Sequence, residues 1–332
     1  MGWTANVMRN NLSPSILGAS RNFVDIFSQR KDFQGGALGN PTLNQLGLHP
    51  LRMLATDGCL GIRRRLLQLK GTHASAASDL DGFFRDGVSV IHPFLPGEQF
   101  AAVHAEIKAL TREKAAQHRL PENKHKPGFG DKQHFPGGFD RFDGSTLNRF
   151  FTIDDQQLPA TSLAIRDPRL ASLCELASGF AHRPERFFVY QTVQGNPENH
   201  DPQQDPHRDT FHSTVKLWLF LEDVPEELGP FAYAAGSHRM TWRRHLWEYR
   251  RANDVASSTS NRKGGAFRVS QEDLSRLNTQ IRSYPVKANT LVIADVRGFH
   301  CRSIGRVGAT RLSLYANLRR WPFSPLPWIP SP

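Results

Sequence analysis

Two histidines and two aspartates precede an apolar run in the stretch DPHRDTFHSTVKLWLFLEDV, which spans residues 205–224 of the 332-residue chain. Side chains two positions apart on a strand point to the same face, so His207 and Asp209 are expected to project together. One imidazole and one carboxylate, joined by a second histidine from elsewhere, form the set that holds Fe(II) and leaves coordination positions open. The pair therefore predicts a metal site, and the alternative is a hydrogen-bonded pair at the solvated end of a strand.

The third ligand should come from the end of a later strand. His300 follows an apolar run at 289–296 and a short turn, and Arg311 opens the next apolar run at 311–318. An arginine in apolar surroundings is costly unless it is paired, and its planar guanidinium matches a carboxylate through two parallel hydrogen bonds. We therefore predict His300 as the third metal ligand and Arg311 as the group that binds a carboxylate. Arg306, in a glycine-bounded loop, is the alternative to Arg311.

Further candidates flank these residues. Alternation along the predicted strand before the metal pair directs either Tyr190 or Gln191 toward the site. Gln191 is a candidate for contact with a cosubstrate or substrate, and core packing is its alternative. His212 lies three residues after Asp209, so it should face the other side and have a structural or substrate-side role. Cys301 is expected to be a small packing residue.

The composition describes a folded globular protein with an excess of basic charge. Hydrophobic residues make up 39% and charged residues 22%, and the net charge is +11. Three cysteines without paired spacing predict a reducing, cytoplasmic setting and exclude a disulfide framework. A basic surface attracts anions, although a solvated surface without a dedicated partner is the simpler explanation. No apolar run is long enough to span a membrane, and no nucleic-acid-binding motif is present, so neither partner is expected.

Short β-branched and aromatic runs dominate after residue 145 and predict a mainly β fold with flanking helices, a double-stranded β-helix or jelly roll. Residues 1–75 are predicted to be a basic, weakly patterned extension, and residues 119–145 a loop. The catalytic domain is predicted over 76–325, with a helical insertion near 238–285. We expect the apolar run 215–221 to form a wall that keeps the site rigid and dry. The predicted strands are 88–92, 146–153, 186–194, 214–224, 289–296 and 311–318, and the predicted helices start near Pro96, Asp167 and Thr241.

The chain resembles the phytanoyl-CoA dioxygenase family of Fe(II)/2-oxoglutarate oxygenases over residues 79–323. The motifs that carry the resemblance are FFRDGVSVI, HRD, the LEDV…LGPFAYAAGSHR run, and His300 followed by Arg311. The family usually has Asn-Gly before its proline and a Pro-Gly-Ser-His turn, where this chain has Leu-Gly-Pro and Ala-Gly-Ser-His. Family members often have a small hydroxyl residue two positions after the distal histidine to assist the cosubstrate, and here that position is Arg302.

The resemblance implies a function for each of these residues. His207, Asp209 and His300 would be the iron ligands, and Arg311 would anchor 2-oxoglutarate, with Fe(II), 2-oxoglutarate and O2 as cofactor and cosubstrates. Related halogenases replace the carboxylate ligand with a small residue, so Asp209 favours hydroxylation or another C–H oxidation. The Gly-Ser-His turn at His238 would be a structural corner.

The expected activity is hydroxylation of a small molecule with release of succinate and CO2. The excess of basic charge favours a substrate that is anionic or resembles an acyl thioester. The basic helix at 241–252 would either cap the pocket or be an exposed amphipathic helix. The alternative function is a non-catalytic jelly-roll binding or sensor module whose basic N-terminus contacts nucleic acid or a membrane.

Overall fold

The computed structural model describes residues 25–29, 36–70, 74–117, 132–196, 198–258 and 266–328. Every strand pairing within these ranges is antiparallel, and the strands form one large and one small sheet. The two sheets face each other without closing into a continuous barrel, which confirms the predicted mainly β, jelly-roll fold. Residues 1–24, where part of the predicted extension falls, lie outside the described ranges.

The large sheet has eight strands in the order β1-β11-β7-β13-β5-β4-β3-β2. Its strands are β1 (Val88–Ile91), β2 (Lys132–Phe135), β3 (Gly138–Asp143), β4 (Thr146–Thr152), β5 (Phe187–Val193), β7 (Val215–Phe220), β11 (Thr290–Asp295) and β13 (Thr310–Leu318). The small sheet has the order β10-β8-β12-β6-β9. Its strands are β6 (His207–Arg208), β8 (Phe231–Ala234), β9 (Phe267–Arg268), β10 (Ile281–Tyr284) and β12 (His300–Arg302).

Helices cover the outer face of the large sheet and one end of the small sheet. Those before β5 are α1 (Pro41–Gln45), α2 (Leu48–Leu69), α3 (Ala74–Asp79), α4 (Asp81–Asp86), α5 (Gly97–Gln117), α6 (Pro159–Ile165) and α7 (Pro168–Ser178). The later helices are α8 (Trp242–Ser257) and α9 (Gln271–Arg276), with a 3-10 turn at Glu226–Leu228. Helices α8 and α9 flank β9, between β8 and β10, where the helical insertion was predicted. No helix in the described part of the chain is long and apolar enough to cross a membrane.

The alternation of β7 shows how the large sheet positions the site. Leu217 and Leu219 point outward into the main core, which α5, α6 and α7 complete. Lys216, Trp218 and Phe220 point inward and line a cavity between the two sheets. The wall predicted at 215–221 is therefore wholly apolar on its outer face, whereas its inner face combines Lys216 with two aromatic rings.

Two regions are more ordered than their sequence indicated. The predicted loop at 119–145 contains the hairpin of β2 and β3, which extends the large sheet beyond β4. Within the predicted extension, α2 runs over Leu48–Leu69 and buries Met53, Leu60 and Leu67. Its Arg63 donates a hydrogen bond of 3.0 Å to the carbonyl of Pro322, near the other end of the chain. Helix α2 is thus packed into the same unit as the sheets, because its apolar stripe is covered by distant parts of the chain.

Candidate metal centre and its cavity

His207, Asp209 and His300 come together at the inner face of the small sheet. β6 pairs with β12 so that His207 lies directly opposite His300, with ring centroids 4.6 Å apart. Asp209 follows β6, and its backbone N–H donates to the carbonyl of Val296 at 2.9 Å. One ligand atom from each of the three side chains fits within a 4.8 Å span.

Backbone carbonyls orient both imidazoles. Nδ1 of His207 lies 2.7 Å from the carbonyl of Asp205, and Nδ1 of His300 lies 2.9 Å from that of Gly298. A carbonyl can only accept, so each Nδ1 carries a proton, and in a neutral ring the lone pair is then on Nε2. The two Nε2 atoms lie 3.5 and 3.7 Å from oxygens of Asp209, and Nε2 of His300 is buried without a hydrogen-bond partner among the described residues. Two imidazole Nε2 atoms beside a carboxylate form a donor set that could hold a divalent metal ion.

The electrostatics keep these groups in the protonation states that bind metals. Burial acts to raise the pKa of Asp209, but Lys216, His207 and His300 outweigh it, and the pKa lies well below its ordinary value. Burial lowers the pKa of His300 to about 3. At neutral pH the site therefore offers a carboxylate and a neutral imidazole, which need not lose a proton to bind a metal.

The triad opens into a cavity of about 760 Å³, and Arg311 lies in the same cavity. Its Nη1 donates to the carbonyl of Gly229, its Nε is buried without a hydrogen-bond partner, and it forms no ion pair with a described carboxylate. Burial, reinforced by the nearby charge of Arg302, lowers the pKa of Arg311 to about 10. A buried guanidinium with unused donors is suited to an anionic ligand.

Arg302 faces the same cavity but has partners of its own. It is ion-paired with Asp201, and its Nη2 lies 2.8 Å from Oδ1 of Asn148 and 3.5 Å from Asp143. The hydroxyl of Tyr190 donates to the same Asn148 oxygen at 2.5 Å. Arg302 is thus a neutralised part of the cavity wall, where the family often has a small hydroxyl residue.

The structure separates the remaining candidates. Tyr190 lines the cavity, whereas Gln191 lies on the opposite face of β5 with the core residue Val189, so the structure does not bring Gln191 to the site. Arg306 is exposed and does not line the cavity, in contrast to Arg311. His212 is buried outside the cavity lining and packs edge-on against the adjacent phenylalanine.

Two further candidates have local roles. His238 is buried in the turn after β8 and lies 3.3 Å from the carbonyl of Phe84. Cys301 lines the cavity beside His300, and burial raises the pKa of its thiol to about 11, which keeps it protonated at neutral pH.

Helix α8 both borders the cavity and carries a buried charge. Arg251 and Val255 belong to the cavity lining. Glu248 is fully buried and is hydrogen-bonded to Arg208 at 2.8 Å, to Arg244 at 3.0 Å and to His49 at 3.0 Å. These four residues, here called the Glu248 cluster, tie α2, α8 and β6 together. The cluster thereby fixes the strand that carries His207, the first residue of the triad.

The Glu248 cluster predicts a pH dependence of stability. Burial lowers the pKa of His49 to about 4, against the opposing hydrogen bond to Glu248, whereas an unfolded histidine titrates near ~6.5. Between these values the unfolded chain binds a proton that the native protein excludes, so stability falls as the pH decreases from about 6.5 to 4. When the pH is lowered from 7 to 5, the free energy of unfolding measured in urea should fall by about 2 kcal/mol less in His49→Gln than in the wild type. Equal losses in the two proteins would contradict this assignment.

Two inward-facing cations were not identified from the sequence. Nζ of Lys216 lies 2.5 Å from Oδ2 of Asp209, and Arg141 on β3 lies 3.1 Å from Asp143. Burial alone would lower the pKa of Lys216, but Asp209 raises it. A single lysine within the otherwise apolar run VKLWLF was the available signal for Lys216. Arg141 gave none, because its segment was predicted to be a loop.

The sequence model of the family described as phytanoyl-CoA dioxygenase matches residues 83–301, well over half of the chain. The chain belongs to the phytanoyl-CoA dioxygenase family. The matched span includes all three residues of the triad, so the resemblance predicted from the sequence motifs is confirmed. A search among curated proteins finds no match.

Several solved structures are similar to this member of the phytanoyl-CoA dioxygenase family. The epimerase SnoN from nogalamycin biosynthesis, in complex with Fe3+, alpha ketoglutarate and nogalamycin RO, is 19% identical, with 74% of this chain and 84% of that chain covered and a TM-score of 0.44. HygX from Streptomyces hygroscopicus, with nickel and 2-oxoglutarate bound, is 13% identical, with 72% and 85% covered and a TM-score of 0.41. EctD from S. alaskensis, with bound Fe, is 15% identical, with 73% and 74% covered and a TM-score of 0.42. These similarities are too distant to assign a ligand or a reaction to this chain.

Proposed function

We propose that this member of the phytanoyl-CoA dioxygenase family is an Fe(II)- and 2-oxoglutarate-dependent oxygenase that hydroxylates a small molecule and releases succinate and CO2. The observation that carries the proposal is that one cavity holds both a candidate metal-binding triad and an arginine suited to an anion. The triad brings three possible ligand atoms within 4.8 Å of one another, and Nε of Arg311 has no hydrogen-bond partner among the described residues.

The triad fits Fe(II) through its chemistry and its protonation. His207 and His300 would bind through Nε2, and Asp209 would bind through a carboxylate oxygen. Two imidazoles and one carboxylate, with the remaining positions open, are typical of non-haem Fe(II) oxygenases. The carbonyls of Asp205 and Gly298 would hold the rings in place without a change of tautomer.

Arg311 would hold the distal carboxylate of 2-oxoglutarate. Its guanidinium can donate two parallel hydrogen bonds to a carboxylate, and the carboxylate would offset the cost of burying its charge. The pairing of Arg302 with Asp201 and Asn148 leaves Arg311 as the inner arginine without an acidic partner. Ser313, two residues further along β13, lines the same wall and offers a hydroxyl.

The bound iron, with 2-oxoglutarate and O2, supplies the oxidising power needed to attack a C–H bond. The chain itself orients the ligands, binds the cosubstrate and limits access of water to the cavity. Asp209 supports hydroxylation or another C–H oxidation over halogenation, because a carboxylate occupies the position that related halogenases leave to a small residue.

Binding and turnover assays test this proposal directly. Anaerobic addition of Fe(II) and 2-oxoglutarate should give a weak visible charge-transfer band that needs both components. Admission of O2 should then produce succinate, since these enzymes decarboxylate some 2-oxoglutarate even without substrate. Absence of both the band and succinate from correctly folded protein would refute the proposed activity and favour the binding module.

A further inference from the structure

The cavity carries a large excess of positive charge. Eight basic side chains and two aspartates line it among the described residues. Four basic groups surround the inner part: Arg141, Lys216, Arg302 and Arg311. Four others lie on the outer elements: Lys132, Arg251, Arg268 and Arg319. A divalent metal ion and dianionic 2-oxoglutarate cancel each other's charge, so loading the site as proposed leaves this excess in place.

The ion-pair partner of Lys216 is Asp209, a carboxylate that would also bind the metal. Its ammonium is paired with Asp209, the carboxylate of the triad, at 2.5 Å. A divalent ion bound to Asp209 withdraws that negative charge and repels the ammonium, whose side chain is 21% exposed in the cavity. The loaded site would therefore leave a cation beside the metal without an adequate counter-charge.

Arg141 lines the same cavity from β3, which lies four strands from β7 in the large sheet. Its guanidinium lies 3.1 Å from Asp143, which also faces Arg302 at 3.5 Å and accepts from Asn148 at 2.8 Å. Asp143 is thus shared among several donors, and Nε of Arg141 is buried without a hydrogen-bond partner. Lys216, Arg141 and Tyr315 all line the cavity, and the charges of the two cations act on Tyr315 and on each other.

We propose that the substrate carries an oxyanion, a carboxylate or a phosphate, which Lys216 and Arg141 bind beside the metal ligands. This inference rests on the proposed oxygenase function and deepens it by naming the substrate class. The anion supplies the counter-charge that Lys216 loses to the metal, and it satisfies the free donor of Arg141. It also holds the adjacent part of the substrate close to the open coordination positions.

An aromatic wall beside these cations indicates what the rest of the substrate contacts. The rings of Phe139 and Phe150 stack at 4.7 Å, and those of Phe150 and Tyr190 stack at 4.6 Å. All three residues line the cavity. An apolar or planar body can lie against this wall while its anionic end reaches the two cations.

Matched probe pairs test the inference on protein loaded with Zn(II) and 2-oxoglutarate, so that no turnover occurs. The probes are benzoate against benzamide and benzyl phosphate against benzyl alcohol, titrated by ligand-observed NMR. We expect each anion to bind the wild type about tenfold more tightly than its neutral partner. Lys216→Met and Arg141→Gln should each remove most of this preference. Lys287→Met should retain it, because Lys287 forms a similar ion pair with Asp223 at the surface, 3.0 Å apart.

Metal affinity separates an anion-binding role from a purely structural one. If Lys216 binds substrate, Lys216→Met should bind Zn(II) several-fold more tightly, because the metal no longer displaces an ammonium from Asp209. Weaker metal binding by Lys216→Met would show that the lysine positions Asp209 and would overturn the proposal. A wild type without anion preference would also overturn it, as would a preference unchanged in both variants. Should Lys216→Met fail to fold, Arg141→Gln decides the outcome.

The metal and cosubstrate controls distinguish this inference from the proposed function. A wild type that binds no metal or 2-oxoglutarate refutes the oxygenase function itself. A wild type that binds both, yet treats the charged and neutral probes alike, refutes the substrate class only.

Discussion

His300→Ala should bind Fe(II) at least about a hundredfold more weakly than the wild type and should lose nearly all 2-oxoglutarate turnover. The alanine removes the side chain proposed as the third metal ligand, whose Nε2 makes no hydrogen bond with the described residues. It also removes the hydrogen bond between Nδ1 of His300 and the carbonyl of Gly298, so a loss of stability of about 1–3 kcal/mol is expected. Titration of Fe(II) under anaerobic conditions and measurement of succinate in air provide the two readouts.

The control for this prediction is His104→Ala on α5, which lies away from the cavity and stacks on Phe100. It should bind metal and form succinate at wild-type levels. A His300→Ala protein that binds Fe(II) with wild-type affinity would show that the triad is not the metal site. Loss of binding together with loss of cooperative unfolding would instead indicate damage to the fold, and His207→Ala would then provide the independent test.

Arg311→Met should raise the free energy of unfolding when 2-oxoglutarate is absent and remove the stabilisation that 2-oxoglutarate provides. Burial lowers the pKa of Arg311 to about 10, and the guanidinium forms no ion pair with a described carboxylate, so replacement by an apolar side chain should stabilise the protein by about 1–3 kcal/mol. In the Zn(II)-loaded wild type, 2-oxoglutarate at about 100 times its dissociation constant should add about 2.7 kcal/mol. The variant should bind 2-oxoglutarate about a hundredfold more weakly, because two charge-assisted hydrogen bonds are lost.

Arg306→Met is the matched control, because Arg306 is exposed in the loop before β13. It should change neither the stability of the cosubstrate-free protein nor the response to 2-oxoglutarate. Stabilisation of Arg311→Met by 2-oxoglutarate equal to that of the wild type would show that the cosubstrate binds elsewhere. A less stable Arg311→Met protein would show that the hydrogen bond from Arg311 to the carbonyl of Gly229 outweighs the cost of burying the charge.

Local patterns were sufficient to predict most of the fold. The apolar and aromatic runs gave β4, β5, β7, β11 and β13 to within a few residues, since each run is long enough to reveal its period. The two-residue strands β6 and β9 and the polar hairpin β2–β3 show no such period. They are strands because a neighbouring strand supplies hydrogen bonds, which a single sequence does not display.

Packing decided which side chains of each strand point into the core and which point into the cavity. Alternation left Tyr190 and Gln191 as equal candidates, and the choice depends on which face of β5 packs against the helices. Val189 enters the core, so Gln191 points outward with it and Tyr190 points into the cavity. The same rule turns Lys216 inward, where it meets Asp209.

The sequence by itself determined the candidate ligands, the arginine proposed to bind the cosubstrate and the family, because ligand chemistry resides in residue identity and short spacings. The tertiary structure decided which charges neutralise one another. Arg302 pairs with Asp201, about a hundred residues away along the chain, and His49 is hydrogen-bonded to Glu248 at almost twice that separation. Such pairs form only when the sheets and helices fold together. Among the described residues they leave Arg311 without an ion-pair partner, so its guanidinium is available to the proposed cosubstrate. They leave Lys216 paired with Asp209, the carboxylate that a metal would bind.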